Sequence, residues 1–456
     1  MDRPLEPMIV AGDRQQTRSD RIQPILILLS STALVFTGCG INFTFGVYQE
    51  LYDSMSKLPN TPFTGATPAQ IDLIGTLSIA LMTIGAPFTT AWTKQYSPRA
   101  VIWSGGVIYS IALLLASFSQ SLWQFILTQG LLLGVGTCMA YMPSVTVAPT
   151  WFSLHRGLAM GIILAGTGFG GVVWPLAFRS LIARVGFRNC LRITAGISFV
   201  IISVSGFFMK WPASQLTRIQ AENAANARRL SWLRIPLVDW RVVRTRKFAA
   251  HALGAALQSA AYYTPVFFFA SYARTLGYSQ ASSANFIAIS NAANALGKIA
   301  IGHAADRMGR LNTLFLTTLV SAISVLAMWL PSALSTSQSS GSALFIVFTI
   351  FYGVFASAYV SLFPTSLVEL FGVQNFVSVN GVLYMVRGFA TLLGTPLAGL
   401  LIRSSQGEKA GPRSYENTSI LVGVLLAAAT FAVLWARIEA SLTFEGGQSH
   451  GRKWLM

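Results

Sequence analysis

The chain has 456 residues, 53% hydrophobic and 10% charged, with 32 Lys and Arg against 15 Asp and Glu. Soluble domains run near 25% charged, so an aqueous globular fold is excluded, and the net charge of +17 must be explained by where the cations sit. Four His, few acids and three Cys (Cys39, Cys138, Cys190) without metal spacing leave little for a metal centre, a disulfide framework or enzyme chemistry; no cofactor and no nucleic-acid partner is expected.

A polar tail, residues 1–22, opens the chain without the short apolar core and cleavage pattern of a signal peptide. A spanning helix needs about 20 mostly apolar residues. Six such stretches follow: Pro24–Val47, Ala69–Thr90, Ala100–Phe118, Leu122–Val147, Gly157–Ile182 and Cys190–Met209. A basic segment, 211–247, separates them from Phe248–Phe269, Ala281–Ile301, Leu311–Leu330, Leu344–Pro364, Val379–Ile402 and Thr418–Trp435, and a tail occupies 438–456. The layout predicts an all-α membrane protein of twelve transmembrane helices, six in an amino-terminal bundle (23–210) and six in a carboxy-terminal one (248–437).

With both termini cytoplasmic, roughly 21 of the 32 Lys and Arg fall on the inner side and about 9 outside, as positive-inside sorting requires. The basicity is therefore read as topology. Anionic inner-leaflet lipid is the expected neighbour of the segment around Arg228, Arg229, Arg241, Arg244 and Arg246. Arg179, Arg184, Arg188 and Arg192 cluster on the outer side, where that rule gives no account of them.

The halves resemble copies. Gly134, Ala140 and Tyr141 in the fourth stretch match Gly353, Ala358 and Tyr359 in the tenth, and the fifth and eleventh each carry a Pro near the outer end, Pro175 and Pro396, read as a turn. Gly161, Gly166, Gly168, Gly170 and Gly171 lie inside one apolar stretch, so they predict close helix packing rather than a phosphate loop.

Between the eighth and ninth stretches the chain reads Gly302, His303, Ala304, Ala305, Asp306, Arg307, Met308, Gly309, Arg310. This resembles the signature loop of the major facilitator superfamily, with Asp306 placed to accept bonds from neighbouring helix ends. The first-half counterpart has Lys94 where the family has Asp. Trp151, Arg156, Gly157, Leu158, Ala159 and Gly161, running on to Gly166, Gly168 and Gly170, look like the loop and fifth helix of the monocarboxylate porter family, in particular its fungal branch. The first-helix motif and lysine known in many of these porters have no counterpart; Asn42 and Phe43 are the nearest positions. The resemblance implies a gating role for Gly302, Asp306, Arg307, Gly309, Arg310 and Arg156.

Lys298, about eight residues before Asp306, and Arg387 are cations expected at membrane depth, where an unpaired charge costs about 2.5–3.5 kcal/mol on insertion scales. In the family pattern an arginine takes the place of Lys298 and an acid that of Asn294. This implies substrate-carboxylate binding at Lys298; the alternative is that its amine bonds helix carbonyls. Arg387 either grips a carboxylate or pairs with Glu369. Tyr262, Tyr263, Phe267, Phe268, Asn291 and Asn294 are candidates to line a cavity for an organic acid. Asp72 and Glu50 are open to a proton-site role, with helix capping the alternative for Asp72.

The sequence thus reads as a multi-pass transporter, expected in the plasma membrane. It would move a small organic anion by alternating access, with protons as the candidate coupling ion and lipid as its other partner. Two alternatives stay open: an efflux pump for a larger acidic secondary metabolite, and a non-transporting sensor of the same fold.

Overall fold

The computed structural model describes residues 18–226, 240–402 and 411–444; most of both tails and the Arg228 and Arg229 part of the linker lie outside the described residues. Among the described residues the chain is helical, with no strand. We number the twelve long rods in chain order. α1 is Ile22–Ser56, interrupted at Thr44, whose hydroxyl bonds the Gly40 carbonyl at 2.7 Å. α2 runs Pro68–Ile84 and, after a 44° bend at Gly85, Ala86–Gln95. Its start is a capping box between Thr67 and Gln70 with Pro68 in the first turn. α3 is Pro98–Phe118, capped by Ser97; α4 is Leu122–Trp151, with a π-helical stretch at Ile126–Leu132; α5 is Arg156–Val185 and α6 Phe187–Phe208.

A separate polar helix, Ala213–Asn226, follows. α7 is Arg246–Thr275, capped by Thr245; α8 is Gln280–Met308, capped by Ser279; α9 is Arg310–Leu334. α10 (338–371) and α11 (373–400) meet at Gly372, whose φ of 71° only glycine adopts easily. α12 is Glu416–Phe444. α7 and α8 are less apolar than the other rods because they carry His251, Gln258, Ser259, Asn291, Asn294 and Lys298, side chains that the fold turns toward neighbouring helices.

Each rod contains or overlaps a stretch predicted from hydropathy, and most overrun it. α1 continues past Val47 to Ser56, and α11 starts at 373 rather than 379. A helix ends where its backbone bonds end, and polar flanks outside hydrocarbon keep them. Pro175 and Pro396 do not make turns; both lie inside continuous helix.

Two groups of six helices meet along α5 with α8 and along α2 with α11. The glycine run of α5 is the reason α8 lies so close. A Cβ at Gly157 would stand 2.5 Å from the Gly302 carbonyl oxygen, one at Gly168 2.5 Å from that of Asn291, and one at Gly161 would strike the Lys298 carbonyl. On the other seam, Gly388 lies against Thr83 and Ile84. These are membrane helix contacts made by small residues.

Candidate functional site

At one end of the seam, the last turn of α8 caps the first turn of α5. Asp306 Oδ1 accepts the Gly157 N–H and Oδ2 the Leu158 N–H, each at 2.8 Å. An unpaired helix start needs such acceptors, and a carboxylate also meets the positive end of the helix dipole. Arg310 pairs with Asp306 at 3.1 Å and Glu369 at 3.0 Å, and donates to the Ser153 carbonyl at 3.2 Å. Gly309 supplies the turn, with φ 91°. Arg156 Nε donates to the Pro149 and Phe152 carbonyls, both at 2.8 Å, fixing the α4–α5 corner. Arg307 is exposed. Of the six residues read as gating, five therefore meet in or beside one latch between the halves.

The counterpart latch is built differently. Lys94, at the end of α2, pairs at 3.5 Å with Glu222 of the polar helix Ala213–Asn226. From the same helix Asn223 donates to the Lys94 carbonyl at 3.2 Å, and Trp211 just before it donates to the Thr93 carbonyl at 3.2 Å. Arg218 pairs with Glu222 at 3.0 Å and reaches the Gln374 carbonyl, at the start of α11, at 3.5 Å. An acid from the linker thus answers the lysine that stands where the family has Asp.

Lys298 is 1% exposed and sits about 15 Å from the Met308 end of α8, at 1.5 Å per residue. Its amine donates across the seam to the Leu164 carbonyl at 3.1 Å and the Thr167 hydroxyl at 2.6 Å, both on α5. Asn291, two turns away, donates to the Gly171 carbonyl at 3.2 Å. In this conformation both residues tie the halves together.

Arg387 lies deeper than hydropathy suggested, near the middle of α11 and about 21 Å from its start. It is 4% exposed, and its Nε donates to Ser259 Oγ at 2.9 Å. The guanidinium lies 4.8 Å from the Phe363 ring centre, 5.1 Å from that of Tyr384 and 5.8 Å from that of Tyr359, within range of cation–π attraction. Nη1 is buried with no hydrogen-bond partner among the described residues. Glu369 pairs with Arg310, and among the described residues no acid pairs with Arg387.

Around this cation other buried polar atoms also lack partners among the described residues: both amide atoms of Gln258, Nδ1 of His251 and the Tyr359 hydroxyl. His251 stacks on Phe363 at 5.2 Å. Tyr384 meets Tyr141 of α4 hydroxyl to hydroxyl at 3.3 Å, and Asn380 donates to Thr146 of α4 at 3.2 Å, so the cluster touches both halves. Asn294 donates to the Tyr262 hydroxyl at 3.4 Å, leaving its own Oδ1 buried and unpartnered. Tyr263 stacks with Phe267 at 6.0 Å and meets Phe43 of α1 at 5.7 Å.

Sequence reasoning did not single out His251, Gln258, Ser259, Tyr359, Phe363 or Tyr384 as members of a site. A signal existed for three of them: His251, Gln258, Ser259 and Tyr262 fall at i, i+7, i+8 and i+11 on one face of an apolar helix.

Asp72 lies at the opposite end of α2 from Lys94; it is exposed and accepts a bond from Gln49. It does not cap α2, a role taken by Thr67. Part of the outer arginine cluster finds an account here. Arg188 donates to the Ser117 and Ser119 carbonyls at 3.0 and 3.1 Å, and Arg192 to Ser117 Oγ at 3.1 Å, satisfying the end of α3. Arg179 approaches Glu50 at 3.9 Å.

The family model described as Major Facilitator Superfamily matches residues 28–340 and 287–454, and the chain belongs to that superfamily. An agnestins efflux protein of Paecilomyces divaricatus is 27% identical over 430 residues, covering 94% of this chain and 90% of that one. A probable transporter of Saccharomyces cerevisiae, MCH2, is 29% identical over 399 residues, covering 87% and 78%. Among solved structures, the proton:xylose symporter XylE superposes with a TM-score of 0.68 over 90% of this chain and 95% of its own, at 11% identity, which shows the shared fold.

Proposed function

We propose that this superfamily member is a secondary transporter of the monocarboxylate-porter type that carries an organic acid as its anion by alternating access, with Arg387 as the anion-binding group. The observation that carries the reading is Arg387 itself: a buried cation near mid-helix, with Nη1 unpartnered and no acid paired to it among the described residues. A buried charge left without a counter-charge is costly, and an anionic substrate removes the cost. Ser259, Gln258 and Tyr359 supply neutral hydrogen-bonding groups around it, and Phe363 and Tyr384 supply apolar ring surface. Tyr262 of α7 and Asn294 of α8, bonded to each other, extend the same site, and Asn291 joins it only once released from Gly171 of α5.

In this reading Lys298 belongs to the seam in the conformation described and is released toward the substrate when α5 and α8 part. The Asp306 latch and the Lys94–Glu222 pair close the cytoplasmic end, with both termini on that side and the plasma membrane as the location. Protons are the coupling ion; Asp72, exposed at the outer end of α2, is the acid that would first meet them.

Export of a larger acidic metabolite is the second reading, and the efflux protein that matches nearly the whole chain favours it. Purified protein in liposomes, assayed with a panel of labelled acids under a pH gradient imposed in either direction, tests both. Gradient-dependent movement of at least one acid is expected. No movement of any acid in either direction would sink the proposal, and movement of bulky acids alone would select export of a larger metabolite.

A further inference from the structure

On the outer flank of the first six helices, α3 and α6 enclose a groove of about 550 Å³. Trp103, Val107, Phe199, Val204, Phe207 and Phe208 line it, and all but Phe208 present exposed apolar surface. Its floor forms because the two helices touch at glycines: a Cβ at Gly106 would stand 2.8 Å from Ile202, and one at Gly206 2.9 Å from Ile102. Trp103 Nε1 holds the pair together by donating to the Ser203 carbonyl at 3.0 Å. The backbones stay close while the large side chains splay apart on either flank.

Arg99 stands at one rim. Its guanidinium carbon lies 5.3 Å from the centre of the Phe207 ring, and its Nε is buried without a hydrogen-bond partner among the described residues. Among the described residues no acid pairs with it. A cation in the first turn of a helix also opposes the helix dipole, so the side chain sits where an anion beside it would be favoured twice over. Neither the latch nor the Arg387 cluster uses this residue.

We propose that the α3–α6 groove is a binding site for an anionic phospholipid, one acyl chain lying along Trp103, Val107 and Phe207 and the phosphate meeting Arg99. The apolar groove accepts hydrocarbon from any lipid, so it gives occupancy but no choice of headgroup. Selection comes from the guanidinium, whose planar N–H fork suits phosphate oxygens, and from the charge difference between an anionic and a zwitterionic head.

The test uses the full chain purified in detergent, supplied with equal amounts of phosphatidylglycerol and phosphatidylcholine, and native mass spectrometry to count each lipid retained. In the wild type the retained lipid should be phosphatidylglycerol over phosphatidylcholine by about five to one at this site, the weight of one cation at a membrane surface. Arg99→Gln should bring the preference close to unity while the total lipid count stays the same. Val107→Trp, which fills the groove, should remove one bound lipid of either kind. An unchanged elution profile for each variant confirms folding. If Arg99→Gln keeps the full preference, the anionic lipid is held by the basic surface elsewhere and the proposal fails. It fails equally if Val107→Trp leaves the lipid count unchanged, or if the wild type binds the two lipids alike.

Discussion

Replacing Asp306 by Asn should open the seam from the latch end. The carboxylate accepts two backbone N–H groups at 2.8 Å and faces Arg310 at 3.1 Å, while being only 5% exposed. A charge-assisted bond contributes about 1.5–3 kcal/mol. Asparagine retains one acceptor oxygen, so one bond survives in neutral form, the other is lost, and about 0.3–1 kcal/mol of dipole stabilisation goes with the charge. Arg310 keeps Glu369, which limits the loss to roughly 2 kcal/mol, or about thirtyfold in the equilibrium between closed and open seam. The readout is maleimide labelling of Thr146→Cys, a buried position that bridges α4 to α11. The three native cysteines are buried and keep the background low. Asp306→Asn should raise the labelling rate by about ten- to thirtyfold. An unchanged rate in a normally folded variant would refute the latch.

Three further outcomes follow from the same geometry. Lys298→Gln should lower transport at least about tenfold with little loss of folded yield, because a buried charge can be removed at small cost to stability; transport unchanged in rate and affinity would reduce Lys298 to a packing residue. Lys94→Glu and Glu222→Lys should each raise the Thr146→Cys labelling rate about two- to fivefold, the weight of a partly exposed ion pair, and the double exchange should restore it. Failure of the double exchange to restore it would remove the linker helix from the closure. Gly161→Val, which drives a side chain into the Lys298 carbonyl, should hold α5 and α8 apart and abolish transport at normal surface expression; wild-type transport would contradict the seam.

Much of this architecture could be read without coordinates, for reasons that are local. Apolar length names a spanning helix, and Asp306 flanked by Gly302 and Gly309 names a turn that can cap a neighbour. The α5 glycines named a packing face, though not the partner that α8 supplies. What stayed hidden depends on residues far apart in the chain. Glu222 answers Lys94 from the linker, 128 positions on, in a segment read only as basic. Arg188 finds its role once the end of α3 lies beside the start of α6. Arg387 was visible as a deep cation, but its setting comes from three helices: Ser259 of α7, Tyr359 and Phe363 of α10, and Tyr384 of α11 itself. Hydropathy also misplaced its depth, because polar residues at the start of α11 are helical although not apolar.

The central claim, that Arg387 receives the negative charge of the cargo, is tested most directly by comparing each transported acid with its primary amide in proteoliposomes, for wild type and for Arg387→Gln. Acid and amide share shape and differ in charge, so the wild type should favour the acid by about ten- to a hundredfold in kcat/KM, the weight of a charge-assisted bond. In Arg387→Gln that preference should collapse to within about threefold, with Arg387→Lys intermediate because it keeps the charge and loses the planar fork. A wild type that moves acid and amide equally well, or an Arg387→Gln variant that keeps the full preference, would contradict the account.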